Sequence, residues 1–317
     1  MVERIEYDEF GLFHENAAEY GLPYDGPPTV RRDSVEIEPG RRLSALAWGS
    51  GPPELVLLHG GSQNAHTWDT VAMALGRPLV AIDLPGHGHS DGPKAGSRES
   101  QVSARSNAVD VAVAIRELAP NAEGVVGMSL GGLTTIALTG VAPELARKVV
   151  LVDVTPGVTP AKSKMITDFI NGPPSFASFD ELLARTIQYN PTRTESSLRR
   201  GILHNAEQRE DGTWVWRWAR WRDETGEGAD QARQAFADRP ADAPMFGDLW
   251  DTVSAIKVPV MLARGMLAQS VIGEEDEQEL LRRLPDAKVV HFDNAGHSIQ
   301  GDMPVELARE IDAFVFG

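Results

Sequence analysis

Short apolar runs that end in turn residues punctuate this chain. Residues 31–38 (RRDSVEIE) alternate polar and apolar and meet Pro39-Gly40, and residues 42–48 (RLSALAW) answer them as the second arm of a hairpin. Four later runs are apolar at nearly every position: ELVLLHG (54–60), PLVAIDLPG (78–86), EGVVGMS (123–129) and KVVLVDV (148–154). Two more, VPVMLARG (258–265) and AKVVHFD (287–293), come late. Strands apolar on both faces belong to a parallel sheet covered by helices. Between them, residues 102–118, 129–141, 275–284 and 303–316 carry apolar side chains at helical spacing or, after Ser129, a run of small residues. The pattern predicts an α/β fold: a doubly wound, mostly parallel eight-stranded sheet with helices on both faces. Ligands in such sheets bind at the carboxyl ends of the strands.

The alternation lapses between residues 157 and 250. That interval holds Gly172-Pro173-Pro174, polar stretches and five of the seven tryptophans (Trp214, Trp216, Trp218, Trp221 and Trp250). It reads as a mostly helical cap inserted over the strand ends. The expected organisation is an N-terminal arm (1–30), a core built from 31–156 and 251–317, and the cap insertion (157–250). The arm, with its turn-prone Gly-Leu-Pro and Gly-Pro-Pro, has no role assignable from sequence.

Charge narrows the partners. The chain has 46 acidic and 30 basic residues, a formal net charge of −16. Such a surface repels phosphate backbones and anionic lipid, so neither nucleic acid nor a membrane is an expected partner. No cysteine is present, which removes disulfides, zinc-thiolate sites and cysteine nucleophiles together. The start, MVERIEYDEF, lacks the apolar segment of a signal peptide, and no apolar run has membrane-spanning length, so a cytoplasmic location is expected. No H-x-x-x-H, D-x-D-x-D-G or strand-linked G-x-G-x-x-G is found, and the two histidines of GHGHS are weak evidence for a metal; no metal or other cofactor is expected. A homodimer stays open as the assembly.

Three segments carry chemistry. VVGMSLGG (125–132) contains G-x-S-x-G between an apolar run and a small-residue helix, the strand–turn–helix in which a serine, here Ser129, is held on a strained turn. LLHGGS (57–62) ends an earlier strand. Its Gly61 N–H and the N–H of Leu130 are the candidate donors to a developing oxyanion. DNAGHS (293–298) follows the last strand, and His297 there is the candidate general base. His59, His87 and His89 sit in Gly-rich loops at strand ends, where structural hydrogen bonding is expected. His14, His66, His204 and His291 lack a motif.

In this order (strand-HGG, strand-DLPGHGHSD at 83–91, strand-GMSLGG, an insertion, then AGHS) the chain resembles the α/β-hydrolase fold superfamily over roughly residues 31 to 317. The resemblance implies a cap-bearing serine hydrolase of esterase or lactonase type with a Ser–acid–His triad. C–C bond hydrolases and non-catalytic, receptor-like proteins share the fold and remain alternatives. The commonest place for the acid falls here on Ala268, which cannot serve. Asp153, the lone acid at the end of an apolar strand 24 residues past Ser129, resembles the acid of those members that take it from that strand. An acid so placed also needs a partner to be tolerated. Glu274, Glu275 and Asp276 are the alternatives, although they also suit the first turn of a helix. Met128, Trp214 and Trp218 are candidate lining for a small to medium apolar ester or lactone. Strand spacing would put residues 214, 216 and 218 on one face, and helical spacing would group 214, 218 and 221.

Overall fold

The structure, a computed structural model, describes residues 4–92, 103–219 and 240–317. Eight strands form one sheet in the order β1-β2-β4-β3-β5-β6-β9-β10. Their spans are β1 Val30–Glu38, β2 Arg41–Trp48, β3 Leu55–Leu58, β4 Leu79–Ile82, β5 Gly124–Met128, β6 Val149–Val152, β9 Val260–Gly265 and β10 Lys288–Phe292. The hairpin strands β1 and β2 pair antiparallel, and β2 meets β4 antiparallel. From β4 to β10 every pairing is parallel.

Strand side chains alternate between two apolar layers. Val56 and Leu58 join Val125, Leu151 and Leu262 on one face, packed on helices α3 (Ala104–Leu118) and α4 (Leu130–Val141). Leu55 and Leu57 join Val126, Val150 and Met261 on the other, with helix α2 (Asp69–Leu75) and the C-terminal helix Pro304–Phe316. Burial on both faces explains why these strands read as continuous apolar runs.

The insertion between β6 and β9 includes helices α5 (Lys164–Ile170), α6 (Phe179–Tyr189) and α7 (Glu195–Asn205), and a short antiparallel hairpin of β7 (Ala206–Gln208) and β8 (Trp214–Trp216). It has its own core, in which Phe176, Leu182, Ile202 and Leu203 pack with Trp214, Trp216 and Trp218. The tryptophan run therefore starts as a strand, and Trp221 lies outside the described residues. The arm is ordered around helix α1 (Phe13–Tyr20), whose Phe13 packs edge-on against Trp48 at 5.1 Å between ring centroids. Among the described residues no helix is long and apolar enough to cross a membrane.

Candidate active site

Ser129 follows β5 at φ 50°, ψ −117°, a backbone conformation disfavoured for any residue with a β-carbon. Two glycines make that turn possible. A β-carbon on Gly127 would lie 2.3 Å from the Gly131 carbonyl oxygen, and one on Gly131 would lie 2.2 Å from the Leu58 carbonyl oxygen. The strained turn sets Ser129 at the mouth of helix α4, in the wall of a cavity of about 410 Å³ under the insertion. That volume suits a small organic ligand.

Gly61 and Leu130 line the same cavity. Buried histidines fix the Gly61 loop. His59 bonds the Gly60 carbonyl through Nδ1 at 2.7 Å and accepts the Leu84 N–H at Nε2 at 2.9 Å. His87 accepts the Ser62 N–H at 3.1 Å. Both neighbours of Gly61 are thus held. Burial pushes the His59 imidazole below its usual pKa, consistent with one ring nitrogen donating and the other accepting. Asp83 anchors the base of the loop, taking the N–H groups of Ala65 at 2.7 Å and His89 at 3.0 Å.

Asp153 is fully buried at the end of β6, at φ 47°. Its Oδ2 bonds His297 Nδ1 at 2.9 Å. The rest of the carboxylate is cradled by the loop that carries Ala268. Gly265 N–H (2.9 Å) and the Ser270 hydroxyl (2.7 Å) donate to Oδ1, and Val271 N–H (3.1 Å) donates to Oδ2. A buried carboxylate needs such donors. The loop is stitched to the histidine loop by Leu267 N–H donating to the Ala295 carbonyl at 3.0 Å. Asp302, in the helix that follows, holds the histidine loop by accepting the Gly296 N–H at 2.8 Å. His297 Nε2 and the Ser129 hydroxyl, both in the cavity wall, make no hydrogen bond with other described residues.

The other acids are engaged elsewhere. Glu274, Glu275 and Asp276 open the helix Glu274–Arg283. Glu274 pairs with Arg264, Glu275 with Lys162, and Asp276 caps its helix through the Gly273 N–H while pairing with Lys162. None of them meets His297. Met128 lines the cavity, but the tryptophan in its wall is Trp216. Trp214 and Trp218 pack with Trp216 in the core of the insertion, and among the described residues Trp216 is the one of the three that also reaches the cavity wall.

The family model described as "Alpha/beta hydrolase family" matches residues 55–310. The chain belongs to the alpha/beta hydrolase family. The esterase Rv0045c of Mycobacterium tuberculosis is 40% identical over 96% of this chain and 95% of its own. A crystal structure of that esterase superposes with a TM-score of 0.76 over 98% of this chain and 99% of the other, at 38% identity. E-2-(acetamidomethylene)succinate hydrolase shares the fold at 22% identity, with a TM-score of 0.74 over 91% of this chain and all of the other.

One feature of this family member had no signal in its sequence. The arm, the loop after β3 and helix α7 meet in a buried polar network beside the cavity. His66 Nδ1 bonds Asp69 at 2.9 Å and its Nε2 bonds Glu9 at 3.1 Å. Burial alone would depress the His66 pKa, but Asp69 and Glu9 override it and raise it to about 9. His204 stacks on His66 with centroids 3.8 Å apart and takes part in a 2.7 Å bond to the Tyr7 hydroxyl. Burial and the neighbouring His66 charge drive its pKa well below the usual value. His66, Asp69 and His204 bring metal-type donor atoms within 4.8 Å of one another. They fit a metal poorly, because His66 has a carboxylate on each ring nitrogen and so no free lone pair, and the two rings lie parallel rather than converging.

Proposed function

We propose that this protein is a serine esterase whose catalytic triad is Ser129, His297 and Asp153. The observation that carries the reading is the 2.9 Å bond from Asp153 to His297 Nδ1, in a cavity wall shared with a serine on a strained turn. The likeness to an esterase over nearly the whole chain supports the same reading. Asp153 selects the tautomer with the proton on Nδ1, which leaves Nε2 to take the proton of Ser129 as its oxygen attacks the ester carbonyl. The Gly61 and Leu130 N–H groups then receive the oxyanion. His297 returns the proton to the leaving alcohol, and an acyl group stays on Ser129. A water activated by the same imidazole releases the acid. Met128, Val158, Ile166, Phe169, Met245 and Val271 give the cavity an apolar side that suits a small to medium acyl group, in an open-chain ester or a lactone. The domains act as a unit in this account: the core supplies the triad, and the described part of the 157–250 insertion roofs it.

A fluorophosphonate probe and a short-chain aryl ester test this together. The expected result is stoichiometric labelling at Ser129 and steady turnover, both abolished in Ser129→Ala. Tight ligand binding with neither labelling nor turnover would replace the esterase reading with a receptor-like one.

A further inference from the structure

Ser129 lies between two unlike ends of its cavity. It follows β5, which sits between β3 and β6 in the sheet. Toward β6 and β9 the lining is mostly apolar, with Val154, Val158, Ile166 and Val271 beside Lys162 and Gln269. Toward β3 and the arm it is polar, and three walls meet there. Asn16 of the arm bonds Thr70 through Nδ2 at 2.9 Å, and Gln300, three residues past His297, bonds Thr67 through Nε2 at 3.2 Å. Asp69 stands between those two threonines in sequence. The Tyr20 hydroxyl donates to the Gly301 carbonyl at 2.8 Å, which ties the arm to the same corner.

Each of the three side chains leaves one buried oxygen without a partner: Asp69 Oδ1, Asn16 Oδ1 and Gln300 Oε1. Asp69 and Gln300 are each 1% exposed and Asn16 is 7% exposed, and all three line the cavity. An unfilled buried acceptor costs about 1–3 kcal/mol, more for a charged group. The triad does not use these oxygens, and the polar network beside them engages only the other oxygen of Asp69. Arg193 Nε, also buried and unpartnered, belongs to a residue lining the cavity next to Gly301.

We propose that this corner is a recognition subsite for a hydroxyl group carried by the ester substrate away from the scissile bond, which donates its one proton to Asp69 Oδ1 and sits between Asn16 and Gln300. A hydroxyl donates to the carboxylate and can itself accept from Arg193, so it matches both kinds of unfilled atom. The inference rests on the esterase reading and sharpens it: the substrate is amphipathic, apolar on the β6 side of Ser129 and hydroxylated on the other. The hydroxyl can sit on the acyl part or on the alcohol part of the ester.

Two matched pairs of unactivated esters, followed by acid release in a pH-stat, decide the matter. The acyl arm compares ethyl hexanoate with its terminally hydroxylated counterpart. The alcohol arm compares pentyl butanoate with its terminally hydroxylated counterpart. In one arm the hydroxylated ester is expected to have the higher kcat/KM by about tenfold or more, since a site built to bond a hydroxyl discriminates against its absence. Asn16→Leu and Gln300→Leu, each referred to its own rate on the plain ester, are expected to bring that ratio to one or below, and either variant suffices if the other misfolds. Plain esters equal or preferred in both arms of the wild type would overturn the subsite, and so would a preference that survives both variants. No turnover of any of the four esters would overturn the subsite, and would overturn the esterase reading with it where the short-chain aryl ester is inert as well. That outcome is distinct from turnover without preference.

Discussion

At the scale of single residues, the candidate site depends on how Asp153 is held. Its carboxylate takes three donors besides His297, and one is the side chain of Ser270. Ser270→Ala removes a 2.7 Å donor to a charged, buried group. It is expected to lower kcat by about tenfold with little change in KM, equivalent to about 1.4 kcal/mol. Unchanged kcat would show that the main-chain donors suffice. Sequence marked Asp153 because an acid inside an apolar strand needs a partner and because Ala268 could not serve. It gave no sign of the cradle, since two of its donors are main-chain N–H groups and Ser270 looks like any loop serine. The polar corner was equally illegible, because Asn16, Asp69 and Gln300 come together only when the arm, the loop after β3 and the histidine loop fold against one another.

At the scale of elements, strands announced themselves better than short helices. The central strands β3, β4, β5, β6 and β9 are buried on both sides, so their apolar runs are unbroken and end at a turn, whereas β1 at the edge alternates. Helix α2 is seven residues of mixed character, DTVAMAL, too short to show a period in the sequence. The WVW strand of the insertion fits helix and strand spacing equally, and packing against Phe176 and its partner β7 decides it. The arm was the element without a role. In the structure it clamps the insertion to the core: Glu19 pairs with Arg200 of α7, Tyr7 bonds His204, and Glu9 joins Arg32 and His66. This clamp depends on pH. His66 is raised to about 9 in the folded state, so its contribution is complete below about pH 6.5 and is lost as pH rises through about 9. Glu9, which burial would raise but hydrogen bonds from His66 and Arg32 lower to about 2, contributes above about pH 4.5 and is lost as pH falls toward 2. Amide exchange of residues 4–20 is therefore expected to lose protection between pH 7 and 10, beyond the intrinsic rate change, and His66→Gln is expected to remove that step. Protection that holds or grows over this range would contradict the clamp.

At the scale of the whole molecule, the arm is part of the folded body. Phe13 is 1% exposed and belongs to the same apolar layer as Trp48, Leu57 and the C-terminal helix. Phe13→Ala is expected to cost about 3 kcal/mol, read as a lowered denaturant midpoint at constant m-value. A loss under about 1 kcal/mol would mean that the arm packs only loosely. The sheet and the family could be anticipated because four motifs lie in one order along the chain, each at a strand end. Which acid faces the histidine is a matter of which strand end lies beside the histidine loop. In this fold β6 and β9 are neighbours, so a carboxylate on β6 and a loop after β9 can share the work of positioning His297.

That sharing is tested most directly by kcat/KM of Asp153→Asn beside wild type on a short-chain aryl ester, with circular dichroism to establish that the variant is folded. The account predicts a loss of about four orders of magnitude, as expected when the imidazole loses its tautomer and its counter-charge. A folded variant with activity within about tenfold of wild type would contradict it, and would return the search for the acid to Glu274, Glu275 and Asp276.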